Sequence, residues 1–579
     1  MDARHPLNSA RADDCLARGN AFQQAGDTQR AIDSFRQAIR LDPAFAQAWN
    51  NLANALDDAG QLDEAIDAYH AALKLDSHLD GVWSNLGVAL VKQKEFTQAI
   101  AALEKAVELN PASAIAWDNL GIALREQEVR GQRSEVRGQR GQGDRAIKAH
   151  ERAVALDAFS PTAHNNFSIA LFSAGRIEQA ALAARVAITL DPDYAQAYNN
   201  LGVALAQAGK TDEAIAAFYN AIKRHPRYGD AFTNLGTALA DRGEFAASLA
   251  ICRKAVAIDR ANADAHFNLA VILLLTGDFA AGWEQYEWRW KCRGFPPARI
   301  FSQPQWTGQD LTGRTIFVHA EQGLGDTIQF ARYIPMLAAR GGRVILQCQD
   351  ELVRLIRNLA GAAGVIASSE PAPAFDVHCP MASLPGAFAT NLATIPNQIT
   401  YLAADENLVS RWRARCDVAE VRGPRPANRP KVGIAWAGKS SHRNDRNRSL
   451  RLCQLTPLAT AAATFVSLQK FHAGTQNPGI PADFPMVDHT AELSDFADTA
   501  ALIANLDLVI CADTAVAHLA GAMGKPTWVL IPFNPDWRWQ VAGDDTPWYP
   551  TMRLFRQSRA GYWDEVIERV RMALEDFCV

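Results

Sequence analysis

Residues 46–79, AQAWNNLANALDDAGQLDEAIDAYHAALKLDSHL, and residues 80–113, DGVWSNLGVALVKQKEFTQAIAALEKAVELNPAS, are two copies of one pattern. Leu52 and Leu86 stand 34 residues apart, and Leu120 follows at the same interval. Phe167, Leu201, Leu235 and Leu269 continue it after one irregular gap of 47 residues, which is the period plus 13. Each anchor has an aromatic ring or a histidine three residues earlier (Trp49, Trp83, Trp117, His164, Tyr198, Phe232, His266) and a Gly, Ala or Ser just after it. Alanines recur on a second segment at 65, 99, 146, 180 and 214, and seven residues later at 72, 106, 153, 187 and 221. Pro111, Pro192 and Pro226 close their copies, where a helix has to stop. Large residues act as knobs and small ones let a neighbouring helix approach, so each copy predicts a pair of antiparallel helices. Stacked copies share one continuous core, and residues 1–290 are predicted as an α-solenoid.

These features resemble the tetratricopeptide repeat. The last copy, residues 263–290, departs from the others: Gly282 replaces an alanine, and an aromatic string follows (Trp283, Tyr286, Trp288, Trp290). A terminal repeat needs a different outer face, so this copy is expected to dock on the next domain. The 13 extra residues, near 128–140, contain a tandem duplication, QEVRGQR then SEVRGQR. They read as a solvated loop at a helical turn, with an arginine-rich nucleic-acid arm as the other reading. Asn51, Asn85, Asn119, Asn166, Asn200, Asn234 and Asn268 each precede an anchor. Stacked in register they form a ladder, and an amide that both donates and accepts can hold the backbone of an extended peptide. A similar ladder lines the repeat groove of the O-linked N-acetylglucosamine transferases, whose architecture this resembles. The alternative is that these asparagines bond only locally.

The chain has 579 residues, 48% hydrophobic and 21% charged, which suits several globular cores and argues against disorder. Its 58 basic against 63 acidic residues leave a net charge of −5, so a nucleic-acid partner gripped through phosphates is not expected. No apolar run approaches the length of a membrane span, and the first residues, MDARHPLNSARADD, lack the apolar stretch of a secretory signal. Nine cysteines without a CxxC pair fit a reducing, cytoplasmic setting.

After Pro296 the grammar changes to short β-rich runs alternating with helical segments. Residues 315–320, 343–348, 365–368 and 375–379 read as strands, with helices over 326–340 and 350–359. A second series has strands at 431–437, 464–469, 506–511 and 527–532, helices at 495–505 and 515–524, and a terminal amphipathic helix near 564–574. The fold class expected is an α-solenoid followed by α/β, two Rossmann-like units enclosing a cleft. Residues 291–312 are a linker, 313–410 the first unit, 411–430 an Arg- and Pro-rich connector, and 431–579 the second unit.

Residues 506–524, LDLVICADTAVAHLAGAMG, run from a buried strand through Asp513 and Thr514 straight into a small-residue helix. Free amides and the helix dipole make such a start an anion site, although an ordinary Asp/Thr cap is the plainer reading. DTAVAHLA, residues 513–520, is similar to the D-[TS]-G-x-x-H-L-[TA] signature of the heptosyltransferase-type glycosyltransferases, family nine, with Ala515 where that family usually has Gly. The resemblance, over roughly residues 310–575, implies a GT-B fold, a nucleotide-diphosphate sugar as co-substrate, no metal or other cofactor, and an inverting transfer. Residues 321–329, EQGLGDTIQ, match the Gly-Asp of those chains, whose aspartate is taken as the catalytic base. That residue is Asp326 here, which with Gln329 also reads as a helix-capping box. Residues 433–440, GIAWAGKS, satisfy a phosphate-loop pattern, but no helical spacing follows the serine. They read better as a strand end leading into a cationic loop, with Lys439, Arg446 and Arg448 toward the donor phosphates, joined by His442 and Arg443. Gln469, at another strand end, is placed to meet a base or ribose. Residues 536–549, DWRWQVAGDDTPWY, read as core packing or a sugar-stacking surface. Asp544-Asp545 is not a D-x-D motif, and no His/Cys cluster suggests a metal.

The expected function is therefore transfer of a sugar from a nucleotide-diphosphate donor to an acceptor, a polypeptide presented by the asparagine ladder. Asp326 is the expected base, and Lys439, Arg446, Arg448, Gln469, Asp513, Thr514, Ala515, Val516 and His518 are the expected donor site. The alternative is a non-catalytic repeat scaffold whose α/β half binds a nucleotide or nothing.

Overall fold

The structure, a computed structural model, describes residues 5–132, 142–292, 295–398, 400–418, 429–439, 444–470, 484 and 486–579. It divides into two compact units, one running to Asn234 and the other spanning Leu235–Val579.

The first unit is a run of antiparallel helix pairs. His5–Gln24 pairs with Thr28–Leu41, Ala46–Asp58 with Leu62–Leu75, and Asp80–Lys92 with Phe96–Leu109. Ala114–Gln132 pairs with Gln142–Leu156, Pro161–Ser173 with Ile177–Leu190, and Ala195–Gln207 with Thr211–Arg224. The 3.6-residue period dictates which side chains are buried: Ala48, Leu52, Ala55 and Leu56 on one helix face Ala65, Tyr69, Ala72 and Leu73 on its partner. Small residues set the spacing. A Cβ at Gly202 would come within 2.5 Å of the Phe218 ring. The insertion behaves differently from a loop at its start. Residues 128–132 continue the Ala114–Gln132 helix, because good helix formers occupy 124–130. The Arg130 guanidinium then anchors this extension on the Lys94 carbonyl at 2.8 Å and over the Phe96 ring. Residues 133–141 lie outside the described residues.

The second unit joins the last helices to two parallel sheets. Phe245–Ile258, Ala263–Leu275 and Phe279–Tyr286 carry the repeat pattern to its end, followed by a 3-10 turn, Glu287–Lys291. The first sheet has strands β1 (Thr315–His319), β2 (Arg343–Cys348), β3 (Ala362–Ala367) and β4 (Val377–Pro380) in the order β3-β2-β1-β4. The second has β5 (Lys431–Ala435), β6 (Thr464–Ser467), β7 (Met486–Val487), β8 (Leu508–Ala512), β9 (Thr527–Ile531) and β10 (Met552–Arg556) in the order β10-β9-β8-β5-β6-β7. All pairings are parallel. β8 and β9 are buried along their whole length, which is why they read as continuous apolar runs. Read from β5, the second sheet has the 3-2-1-4-5-6 order of a doubly wound nucleotide-binding fold.

Three boundaries differ from the sequence reading. The helix expected over 326–340 is Leu324–Phe330, a 3-10 turn Ala331–Tyr333 and Ile334–Ala339, because Pro335 fits only a first turn. The connector expected from 411 begins later. Glu406–Val418 is a helix, with Trp412 fully buried and its indole donating to Asp498 at 3.3 Å. Third, the division between compact units falls at Asn234/Leu235 rather than near 290. Phe279, Trp283 and Tyr286 are buried with Trp537 and Trp548 in one aromatic cluster, so the last helices share the core of the α/β half.

Candidate functional site

β5 and β8 are neighbours whose chains continue in opposite directions, to β6 and to β9, so a crevice opens beyond their carboxyl ends. On the β8 side, Asp513 and Thr514 lead directly into the helix Ala515–Ala522. Thr514 is the N-cap residue, yet its side chain makes no capping bond, and its Oγ1 is buried without a hydrogen-bond partner. Among the described residues no protein group accepts from the amides of Ala515 and Val516. The helix therefore offers unused donors and the positive end of its dipole to the crevice.

On the β5 side, Gln469 Oε1 accepts from the Trp436 amide at 3.0 Å and the Ala437 amide at 2.8 Å, and Ser449 Oγ accepts from the Gly438 amide at 2.9 Å. These are the amides a phosphate loop would aim at a nucleotide, and the helix that follows, Asp445–Arg448, has only four residues. Over the described residues 433–439, these amides are therefore turned to the protein's own side chains and not to a nucleotide as in a phosphate loop. Gln469 shapes the strand end from beneath. Arg448 lies against Gly438, where a Cβ would stand 2.5 Å from its Nη2, and its Nη1 donates to the Asp513 carbonyl at 2.8 Å. One guanidinium thereby ties the two strand ends together. Lys439 and Arg446 are exposed on the same loop. His442 and Arg443 lie outside the described residues.

The Gly-Asp motif meets this corner directly. The helix Leu324–Phe330 packs on Ala515–Ala522, and Gly325 is the point of approach: a Cβ there would lie 2.8 Å from His518 Cδ2 and 3.5 Å from the Ala515 Cα. His518 is buried, its Nδ1 2.9 Å from the Tyr549 hydroxyl and its ring stacked on Trp539. Burial, with Arg538, Arg332 and Arg448 nearby, holds its pKa well below the usual range. A neutral, enclosed imidazole acts as a wedge under the helix crossing. Asp326 is the third residue of its helix, in the first turn. Its Oδ2 accepts from the Gly323 amide at 2.9 Å, so Asp326 caps its helix from the third helical position and not as the first residue of a box with Gln329, while Oδ1 accepts from Arg538. The carboxylate keeps about a quarter of its surface exposed (24%).

Asp513 is nearly enclosed, and burial together with Asp536 pushes its carboxyl up to about 6 against the pull of Arg448 and Arg538. Burial opposes the charge of Arg538, but Asp536 and Asp326 outweigh it and hold that guanidinium above its ordinary value. The sequence reading missed Arg538 and Asp536. The available signal was a single arginine between two tryptophans in DWRW, since a cation among buried rings has to find carboxylates. Trp537, Trp539 and Trp548 themselves are buried packing.

The seven asparagines are half-buried, and each turns its side-chain nitrogen to a polar side chain of the preceding copy. In the first unit Asn51 donates to Asn20 (2.8 Å), Asn85 to Asn54 (3.1 Å), Asn119 to Ser84 (3.2 Å) and Asn166 to Asp118 (2.8 Å). Asn200 donates to Asn165 (2.8 Å) and Asn234 to Asn199 (3.0 Å). In the second unit Asn268 donates to Thr237 (3.0 Å). The structure thus shows these side chains bonding locally, from each copy to the one before it.

Comparison with known proteins finds repeats in the N-terminal region and a different family in the C-terminal region. The description Tetratricopeptide repeat matches residues 16–79, 82–113, 133–195, 170–226 and 199–263. Glycosyltransferase family 9 (heptosyltransferase) matches residues 490–531, which include β8, Asp513, Thr514 and the Ala515–Ala522 helix. Protein FlbA of Caulobacter vibrioides is 31% identical over 327 residues, 51% of this chain and 52% of that one, so the chain spans about half the length of this relative. Among solved structures, YrrB, described as a tetratricopeptide-repeat protein with an unusual peptide-binding site, is 25% identical, covering 34% of this chain and 96% of that one with a TM-score of 0.28. PilF of Pseudomonas aeruginosa is 19% identical over 39% of this chain and 96% of that one, with a TM-score of 0.33. No helix among the described residues is long and apolar enough to cross a membrane. The chain therefore joins tetratricopeptide repeats in its N-terminal region to a C-terminal α/β region that carries a glycosyltransferase family 9 match.

Proposed function

We propose that the protein is a glycosyltransferase that moves a sugar from a nucleotide-diphosphate donor to an acceptor hydroxyl. The observation that carries this reading is a coincidence of position. The family 9 match covers a helix start at the sheet's switch point, and there, among the described residues, the Ala515 and Val516 amides and the Thr514 hydroxyl have no protein partner. The donor diphosphate lies against residues 513–517, with Arg448, Lys439 and Arg446 supplying positive charge. Asp326 takes the proton of the acceptor hydroxyl as its oxygen attacks the anomeric carbon. The bond to the diphosphate breaks with its electron pair leaving on the nucleotide, and the helix dipole and guanidinium stabilise that charge. No dedicated metal is required in this scheme. The asparagine ladder supports a polypeptide acceptor: each amide spends one hydrogen on its neighbour and keeps other polar positions for a peptide backbone. A cytoplasmic setting completes the proposal, resting on nine cysteines without a paired motif.

The test is hydrolysis and transfer measured with individual nucleotide-diphosphate sugars, followed by Asp326→Asn and Thr514→Val. Loss of about a hundredfold or more in kcat for Asp326→Asn, and weaker donor binding for Thr514→Val, are expected. Full activity in both variants rejects these roles. Absence of any nucleotide-sugar binding by the unmodified protein favours the scaffold alternative.

A further inference from the structure

Arg538 belongs to neither motif, yet the two α/β sheets meet through it. It projects from the 3-10 turn Trp537–Trp539, which follows β9, and is buried. Its guanidinium donates to Asp536 Oδ1 at 2.8 Å, to Gln329 Oε1 and to Asp326 Oδ1, and it lies over the Trp537 ring at 4.4 Å. A planar fork engaged on three sides has little freedom of its own, so it fixes the direction of whatever it grips. Asp326 is held at two points, by Arg538 on one oxygen and by the Gly323 amide on the other.

The supports of this grip lie on the last repeat helices. Asn534 Nδ2 donates to Asp241 Oδ1 at 2.7 Å, and Gln540 Nε2 donates to the Leu274 carbonyl at 3.2 Å. Gln540 is held at φ 57°, a conformation that a residue with a side chain adopts only when its surroundings impose it. Across the site, Glu321, at the start of the loop that leads into the Asp326 helix, accepts from Arg289 at 3.1 Å, and Gln322 donates to the Tyr286 hydroxyl at 3.0 Å. Both loops that converge on Asp326 are therefore seated on helices between Leu235 and Lys291.

We infer that Arg538 is a positioning residue for the transfer reaction: seated on the terminal repeats, it aims the Asp326 carboxylate at the acceptor hydroxyl. This rests on the reading of Asp326 as the base. The experiment uses the full chain and measures hydrolysis of UDP-glucose, UDP-N-acetylglucosamine, GDP-mannose and ADP-glucose separately, with water as acceptor. For the donor that turns over, Arg538→Gln lowers kcat about tenfold or more while its KM stays within about twofold. Arg538→Lys recovers part of the loss. The double variant with Asp326→Asn is no slower than Asp326→Asn alone, because one residue acts through the other. Asn534→Ala, at the outer hydrogen bond of the loop, lowers kcat in the same sense by a smaller factor, and it carries the comparison if Arg538→Gln fails to fold. Wild-type kcat in Arg538→Gln alongside an inactive Asp326→Asn overturns the inference and leaves the base in place. A raised KM at unchanged kcat also overturns it, since Arg538 would then bind donor. Wild-type activity in Asp326→Asn removes the base itself, and this inference with it.

Discussion

Asp513 stands at the junction where β8 becomes a helix, and its environment gives it a proton at a pH where most aspartates have lost theirs. Burial is the largest cause, Asp536 adds to it, and Arg448 and Arg538 oppose it, leaving the carboxyl at about 6. A folded-state value above the unfolded one means that the folded chain keeps its proton longer. The stability this group contributes is then fully present below about pH 4 and is lost as the pH rises through about 6. Asp513→Asn keeps the shape and cannot ionise. It should melt with the wild type at pH 4 and above it at pH 7, by an amount on the order of 1–3 kcal/mol. A nucleotide-diphosphate sugar, whose phosphates do not titrate in this range, should bind the wild type more weakly at pH 7.5 than at pH 5. In Asp513→Asn the affinity should be flat over the same range. Calorimetry at the two pH values reads both, and identical profiles for the two proteins would dismiss Asp513 as the sensor. Asp513 and Thr514 were legible in the sequence because their context is local: strand, turn and helix follow each other without a break. Arg538 was not, because Asp326 lies 212 residues away from it and only the meeting of the two sheets makes them neighbours.

The helix pairs show how much a repeated element reveals about itself. Where a first helix turns into its second among the described residues, the chain takes a left-handed conformation, and Gly26, Gly60, Gly175, Gly209, Gly243 and Gly277 occupy that corner at φ between 75° and 91°. Lys94 fills the same corner, 34 residues after Gly60, at φ 67° with an exposed side chain. A Cβ in this conformation costs about 1–2 kcal/mol, against roughly 0.5–1 kcal/mol for the extra freedom glycine brings to the unfolded chain. Lys94→Gly should therefore stabilise the protein by about 0.5–1 kcal/mol, seen as a higher denaturant midpoint at unchanged slope. A midpoint that falls would mean that the Lys94 side chain contributes more than its backbone costs. Period and composition made these helices legible because every copy repeats the same packing problem. The α/β elements repeat nothing, and their ends shifted where a single residue decided them. Pro335 divides what alternating apolar residues present as one helix. Trp412 draws an Arg-rich stretch into a helix because its indole has Asp498 to reach.

At the scale of the whole chain, the compact units and the sequence motifs divide the molecule at different places, and this difference can be tested. The repeat pattern runs to about residue 290, but the second unit starts at Leu235. The reason is the face of the last copy. Leu273, Leu274 and Leu275 are buried, Phe279 and Trp283 meet Trp537 edge to face, and the Trp283 indole donates to the Thr390 carbonyl at 3.0 Å. Arg289, with no exposed surface, pairs with Glu321, whose own carboxyl burial pushes up to about 7 against the guanidinium. Cutting at 290 would strand Glu321 without its cation and bare Trp537 and Trp548 to water. Burying a large side chain is worth about 2–3 kcal/mol, and several are lost at once, against a typical net domain stability of 5–15 kcal/mol. A fragment starting at Gly229, which keeps the helix Gly229–Asp241 whole, should thus unfold cooperatively within a few degrees of the full chain's upper transition. A fragment starting at residue 291 should show no cooperative transition, or one at least about 10 °C lower. Calorimetric scans of the two fragments decide the matter. A fragment from 291 that melts like the longer one would show that the aromatic seam is ornamental to the α/β core. It would also remove the physical basis for seating the Asp326 and Arg538 loops on the repeats.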